Sequence, residues 1–287
     1  MFFLGLAVWL VSLPVLATTQ VATQIYDIDY GTGNEEILVL LNSGQVAKVP
    51  HEKSEILDQL KQKSTTKQQS YNFTLDENRN IVAIDEVHFP EVVENLPPEI
   101  SMNTSSNKSN YIPTTIESMA KAKEYFKEAR LNPKESQCFN RAMVWTYEWW
   151  KNHSLKSNKI LIYFTRTYIR RHNFEWWFHI APYVHVMHEG KVVERAMDRK
   201  YSSGPRAFRQ WTDIFMKQDQ ECPVITKFSD YADYPYTGEC YLQRTHMYTY
   251  QPADLQGYEA WSTTKDTFNM FEVKGAYLEA FDETIAK

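Results

Sequence analysis

The chain has 287 residues and a formal charge of −5, enough length for one large domain or two ordinary ones and too little positive charge to favour a phosphate backbone as partner. With 43% hydrophobic and 14% aromatic residues and only 9 Gly and 12 Pro, it can bury a core, which excludes collagen-like and wholly disordered readings.

The first charged residue is Asp27. Ahead of it residues 2–17 are apolar, with Pro14 near the end and Val15, Leu16 and Ala17 as small or apolar residues before a cut after Ala17. Residues 1–17 therefore read as a signal peptide, since a membrane span needs about 20 apolar residues and Thr18 and Thr19 end the run early. No later segment is apolar enough to span. The mature protein is expected to be soluble and secreted or periplasmic, in an oxidising compartment.

Residues 18–95 read as a small N-terminal α+β domain. Strands are expected at 25–30, 36–41 and 45–49, with turn residues Gly31, Thr32, Gly33 and Asn34 after the first and Asn42, Ser43 and Gly44 after the second. A helix should open at Ser54 and run through Leu60, followed by strands at 71–75 and 81–87. Residues 96–113 are polar and poor in large apolar side chains, which reads as a linker.

Residues 114–287 read as the second domain. Thr114 and Glu117 can form a capping box for a helix with Ile116, Met119, Ala120, Phe126 and Ala129 at helical spacing, ending near Asn132 and Pro133. A second helix is expected over 136–152, with Ser136 as its cap and Phe139, Ala142, Met143, Thr146 and Trp150 on one face. Strands follow at 159–165, 176–187 and 191–197, the last two joined by a hairpin turn at His188, Glu189 and Gly190. A helix at 207–217 and a final amphipathic helix at 267–281 flank the Tyr- and Asp-rich loop between Cys222 and Cys240.

Three cysteines in an oxidising compartment leave one over. Pairing Cys222 with Cys240 would contribute about 3 kcal/mol by restricting the unfolded chain, and Cys138 would stay a free thiol. That thiol is either a buried small hydrophobe or a kept nucleophile. In the first turn of its helix, Cys138 would sit where unpaired N–H groups and the positive dipole end favour a thiolate. If Glu189 and Gly190 form a two-residue turn, paired residue numbers across the hairpin sum to a constant, and Asp198 falls opposite Ala181. His179 and Asp198 then lie diagonally on one face, within reach of each other. Singly, His179 also reads as a structural histidine and Asp198 as a turn residue; together with Cys138 they make nucleophile, base and orienting acid. Trp176 and Trp177 read either as an aromatic rim or as core packing, and Trp149 and Trp150 as core. His185 and His188 do not converge on a metal, and no Gly-rich phosphate loop is present, so neither metal nor organic cofactor is expected.

Cys138, Phe139, Asn140, Arg141 and Ala142 together resemble the cysteine motif of bacterial protein glutaminases, enzymes that deamidate glutamine side chains within proteins. His179, Ile180, Ala181 and the run to Val186 resemble that family's histidine strand. Asp198, followed by Ser202, Ser203, Gly204 and Pro205 and later by Trp211, is similar to its aspartate segment, although Arg199 stands where the family has proline. The likeness covers about residues 136–225. It implies an α+β fold with a transglutaminase or cysteine-protease-like core, in which a helix carrying the cysteine packs on an antiparallel sheet. It further implies a triad of Cys138, His179 and Asp198, and a secreted precursor whose pro-region would be residues 18–95. The expected function is an exported cysteine amidase that deamidates accessible glutamine in protein substrates, releasing ammonia through a thioester, with the Cys138 backbone N–H as one oxyanion donor. A transglutaminase or a cysteine peptidase would use the same triad, and a non-catalytic secreted binding protein is the reading from outside enzymes.

Overall fold

The computed structural model describes residues 18–33, 35–50, 53–64, 69–87, 111–131, 136–217 and 220–285. The expected signal peptide at 1–17, and the expected linker as far as residue 110, lie outside them. The chain forms two compact units, one of Met1–Leu41 and Ala47–Pro90, the other of Asn42–Val46 and Glu91–Lys287.

The first unit draws on strands β1 (Thr19–Thr23), β2 (Ile25–Asp29), β3 (Ile37–Leu41), β4 (Val46–Val49), β5 (Tyr71–Leu75) and β6 (Ile81–Glu86) and on helix α1 (Ser54–Ser64). They make two three-stranded sheets, ordered β1-β5-β6 and β2-β3-β4. All five residues of β3 are buried, and Val39, Leu41, Ala47, Val49, Leu60 and Phe73 form the core. Strand β1 was not expected, because only Val21 of its five residues is buried and the apolar alternation that marks a strand is missing.

The second unit contains β7 (Thr115–Ile116), α2 (Met119–Glu128), α3 (Cys138–His153), β8 (Asn158–Phe164), α4 (Arg166–His172), β9 (Phe178–His188) and β10 (Lys191–Ala196). After these come α5 (Phe208–Thr212), β11 (Val224–Ile225), α6 (Ser229–Ala232), β12 (Cys240–His246), α7 (Pro252–Trp261) and α8 (Met270–Phe281). Its sheet has the order β10-β9-β8-β12-β11, with β7 paired to β9. The β8–β9, β9–β10 and β8–β12 pairs are antiparallel, and the short β7 and β11 pair in parallel. Helix α3 lies between two hydrophobic layers. Trp145 and Trp149 pack with Val184 and Val186 of β9, while Met143, Val144 and Tyr147 pack with Val273, Ala276 and Tyr277 of α8. Covered on both sides, α3 has residues 139–147 all buried, among them the polar Asn140, Arg141 and Thr146.

Several local expectations are corrected. The cap of α2 is Ser118, whose Oγ accepts from Lys121 N at 3.1 Å, while Thr115 and Ile116 instead pair with His185 and Val186. The helix ends at Glu128, and its buried stripe runs through Ala122, Phe126 and Ala129. Gln137, not Ser136, is the N-cap of α3, and it makes no side-chain cap hydrogen bond. Trp149 is core, but Trp150 is 40% exposed. The expected helix at 207–217 is only the five residues of α5. Tyr111, placed in the linker, donates from its hydroxyl to the Ser157 carbonyl and packs against Tyr248.

Candidate active site

The β9–β10 hairpin has the expected register, from Lys191↔His188 to Ala196↔Tyr183. Its turn residues Glu189 and Gly190 take φ values of 50° and 74°, the left-handed pair that matches the strand twist. Met197 N donates to Pro182 O at 2.8 Å, which carries the pairing one step beyond β10. The chain then turns at Asp198, where Ser202 donates from both N and Oγ to the Asp198 carbonyl at 3.0 and 2.8 Å. The loop closes through an Ala196–Arg206 bridge. Asp198 is thus fixed by backbone on both sides.

Its side chain meets His179, with Nε2 and Oδ2 2.7 Å apart and both side chains 2% exposed. Trp211 Nε1 donates to the same Asp198 Oδ2 at 3.0 Å. The His179 ring is surrounded by Trp176, Tyr201, Trp211 and Phe215, at centroid distances of 5.8, 5.2, 5.8 and 4.6 Å. With Nε2 on the carboxylate, Nδ1 is the ring nitrogen left for Cys138, which lies near enough for thiol and imidazole to favour each other's charged form. Cys138 is the first residue of α3 and is a free thiol. Residues from a helix start, a strand and a post-strand turn therefore meet in one place.

The electrostatics are those of an ion-pair chain. Burial works against charge on the Cys138 sulfur, yet the His179 charge and the nearby Arg141 outweigh it and hold the thiol below its usual range. Burial also works against a charged His179, but Asp198 and Cys138 on either side raise it to about 9. Asp198, opposed by burial in the same way, is held below the usual carboxylate range by His179, by the Trp211 hydrogen bond and by Arg141.

Cys138 and His179 open onto a cavity of about 110 Å³ that Gln45, Arg141, Trp176 and Tyr201 also line. Of the two tryptophans left open by sequence, Trp176 borders this cavity, whereas Trp177 is 1% exposed and packs on Phe178 and Tyr231. Arg141 is the residue whose role sequence reasoning missed. It follows Cys138 by three positions on α3, one turn along the same face. Its Nη1 donates to the Ser136 carbonyl and, at 3.1 Å, to Ser136 Oγ, and its guanidinium lies 5.9 Å from the Tyr201 ring centroid. Spacing alone could have flagged it. His185 and His188 lie apart from the site, on Glu194 and Glu189. The disulfide pairs Cys222 with Cys240, as expected. No helix of the described residues is long and apolar enough to cross a membrane.

Residues 116–215 match a glutaminase family model, a stretch that contains Cys138, His179 and Asp198, and this bears out the resemblance seen in the sequence. Among solved structures, pro-protein-glutaminase is similar at 17% identity over 80% of this chain and 83% of that one, with a TM-score of 0.48. A mutant of pro-protein-glutaminase is similar at 16% identity over 90% and 92%, with a TM-score of 0.49. The protein-glutaminase of Chryseobacterium proteolyticum is similar at 14% identity over 54% and 95%, with a TM-score of 0.33. No curated protein matches the chain.

Proposed function

We propose that this chain is a protein-glutamine glutaminase whose catalytic residues are Cys138, His179 and Asp198. The observation that carries the reading is the meeting of Cys138 with the hydrogen-bonded His179–Asp198 pair at the edge of a small cavity, inside the stretch that matches the glutaminase model.

The chemistry uses the chain's own groups. The Cys138 thiolate attacks Cδ of a bound glutamine, forming a C–S bond and moving an electron pair to the carboxamide oxygen. The Cys138 N–H, which has no acceptor within its own helix, donates to that oxyanion. We assign the second donor to the Gln137 carboxamide, which lines the cavity and is not used as a cap. Collapse breaks the C–N bond as His179 passes its proton to the leaving nitrogen, and ammonia departs. Water then adds to the thioester, His179 takes its proton, and the C–S bond breaks to give glutamate and the free thiol. Asp198 holds the imidazole orientation and balances its charge throughout.

The fold reading is a transglutaminase-like core, with α3 packed on the mostly antiparallel sheet. Export through residues 1–17 is supported by the Cys222–Cys240 disulfide, which requires an oxidising compartment. Residues 18–95 act as a pro-domain, released by cutting at 96–113. The deciding experiment incubates the linker-cut protein with a casein-like substrate and measures ammonia, with and without added amine. Ammonia release that an amine does not divert into cross-links supports the reading; a cut protein that releases none, or a Cys138→Ala variant that keeps wild-type release, overturns it.

A further inference from the structure

The segment Asn42–Val46 belongs to the second unit although it is continuous with β3 and β4 of the first. It is held as a strand would be. Trp177 N donates to Gly44 O at 2.9 Å, Val46 N donates to Glu175 O at 2.8 Å, and between these bonds Gln45 bridges Trp176 in antiparallel register. This is the way an extended peptide is held by addition to a backbone edge, with the side chain between the two bonds offered to a pocket. Gly44 makes the approach possible. Its φ of +89° suits glycine, and a Cβ there would meet Phe178 Cε1 at 3.1 Å.

The side chain so presented is a glutamine, the residue type on which the proposed chemistry acts. Gln45 lines the cavity together with Cys138 and His179, and its Oε1 accepts from Ser43 Oγ at 3.4 Å. We propose that Gln45 is the enzyme's own first substrate, deamidated within the same chain before any other protein is. The inference rests on the glutaminase reading above.

The step balances with water alone. Cys138 Sγ bonds to Gln45 Cδ, the C–N bond breaks, and ammonia leaves with the proton from His179; water then releases a carboxylate at position 45 and restores the thiol. Tethering makes the reaction unimolecular, and its rate is set by the fit of the segment rather than by protein concentration. Arg141, which lines the same cavity, supplies a positive charge beside the carboxylate that forms.

The test is peptide mapping by mass spectrometry of the full chain, leader removed and linker intact, as wild type and as Cys138→Ala. Conversion replaces NH by O, a gain of about one dalton in the peptide carrying residue 45. The expected result is conversion at Gln45 in the wild type, retained amide in Cys138→Ala, and unconverted Gln20 and Gln24 in both. A tagged Cys138→Ala chain co-expressed with wild type should also keep its amide. Conversion of that tagged chain would place the reaction between molecules and overturn the proposal, and conversion in Cys138→Ala expressed alone would make it spontaneous. Circular dichroism of the variant checks its fold, and alkylation of wild-type thiols during lysis and refolding provides a second inactive form. The same wild-type preparation, linker-cut, is assayed for ammonia from casein. Release with Gln45 intact overturns this inference and leaves the glutaminase reading standing, whereas no release and no conversion overturns both.

Discussion

Asp198 Oδ2 accepts from two directions at once, from the His179 ring at 2.7 Å and from the Trp211 indole at 3.0 Å. A buried carboxylate with two donors stays ionised, and an ionised Asp198 is what keeps a proton on a buried His179.

Asp198→Asn should fold and lose about four orders of magnitude in kcat, the scale seen when a triad aspartate becomes its amide. The pH profile separates this from simple damage. His179 is raised to about 9, so turnover needing its proton should hold up to about that pH and fail above it. Removing the Asp198 charge should move this alkaline limb toward neutrality. The stability signs follow the same shifts. The raised His179 contributes fully below 6.5 and loses its contribution as pH climbs through about 9, while the lowered Asp198 contributes above 3.8 and loses its contribution as pH falls through its folded value. Kinetics from pH 5 to 10 on both proteins check this, and an unmoved alkaline limb in the variant would count against the ion-pair chain.

Trp211→Phe keeps the ring beside His179 and removes one donor from Asp198. A buried acceptor that loses a partner costs about 1–3 kcal/mol. The expected result is a melting temperature lowered by several degrees, about 2–4 °C per kcal/mol for a protein near this size. The kcat should fall while KM stays near the wild-type value, because Trp211 touches the orienting carboxylate and not the substrate. A change confined to KM would remove Trp211 from this role.

Much of the site was legible because its parts follow short-range rules. Hairpin register depends on turn length alone, so His179 and Asp198 could be placed from the positions of Glu189 and Gly190, and the odd cysteine count singled out Cys138. Longer-range features were not legible. Strand β12 sits inside the sheet, beside β8, yet its sequence carries Gln243, a buried polar residue whose carboxamide accepts from Tyr163 Oη at 2.9 Å and donates to Thr226 O at 3.4 Å. These partners lie 80 and 17 positions away, and no local pattern shows them. Gln45 was hidden for the same reason, since a turn of Asn, Ser and Gly reads as a surface hairpin until its partner Trp176 is known.

Gln137→Ala tests the second oxyanion donor. Loss of one such donor costs about two to three orders of magnitude in kcat, and a donor that engages only the developing oxyanion leaves KM nearly unchanged. Gln137 makes no cap hydrogen bond, so the variant should melt close to wild type. A kcat within a few-fold of wild type would assign the second donor elsewhere.

The Cys222–Cys240 disulfide closes the segment that holds β11 and α6, over a separation of 18 residues. Replacing both cysteines with alanine should cost about 3 kcal/mol, from an unfolded chain no longer restricted, and should be read as a lower denaturant midpoint. Cys138 remains the free thiol, so mapping without reduction should find one alkylated cysteine. Because its thiol is held below the usual range, labelling should stay faster than that of a free cysteine as pH drops below neutral. A Cys138 to Cys222 bridge in active protein would overturn both assignments.

Lys159 is the second buried ionisable centre, away from the cavity. It is fully buried, its Nζ donates to Thr249 O at 2.6 Å, and Met143 Sδ lies 3.8 Å away. Burial brings it down to about 7, against the pull of Asp254 and Glu272 and with the push of Lys265. Since an exposed lysine titrates near 10.5, between about 7 and that value the unfolded chain binds a proton that the folded chain does not, so stability must rise with pH across this window and level off below it. Lys159→Met keeps the length of the side chain and removes the titration. His246, lowered to about 4 by burial and by Lys159, titrates outside the window and does not interfere. The difference in unfolding free energy between wild type and variant should therefore change steadily from pH 7 to 10 by about 1.4 kcal/mol per unit, read from urea midpoints with an unchanged slope. A difference that stays flat over that range would mean that Lys159 keeps its charge in the folded core.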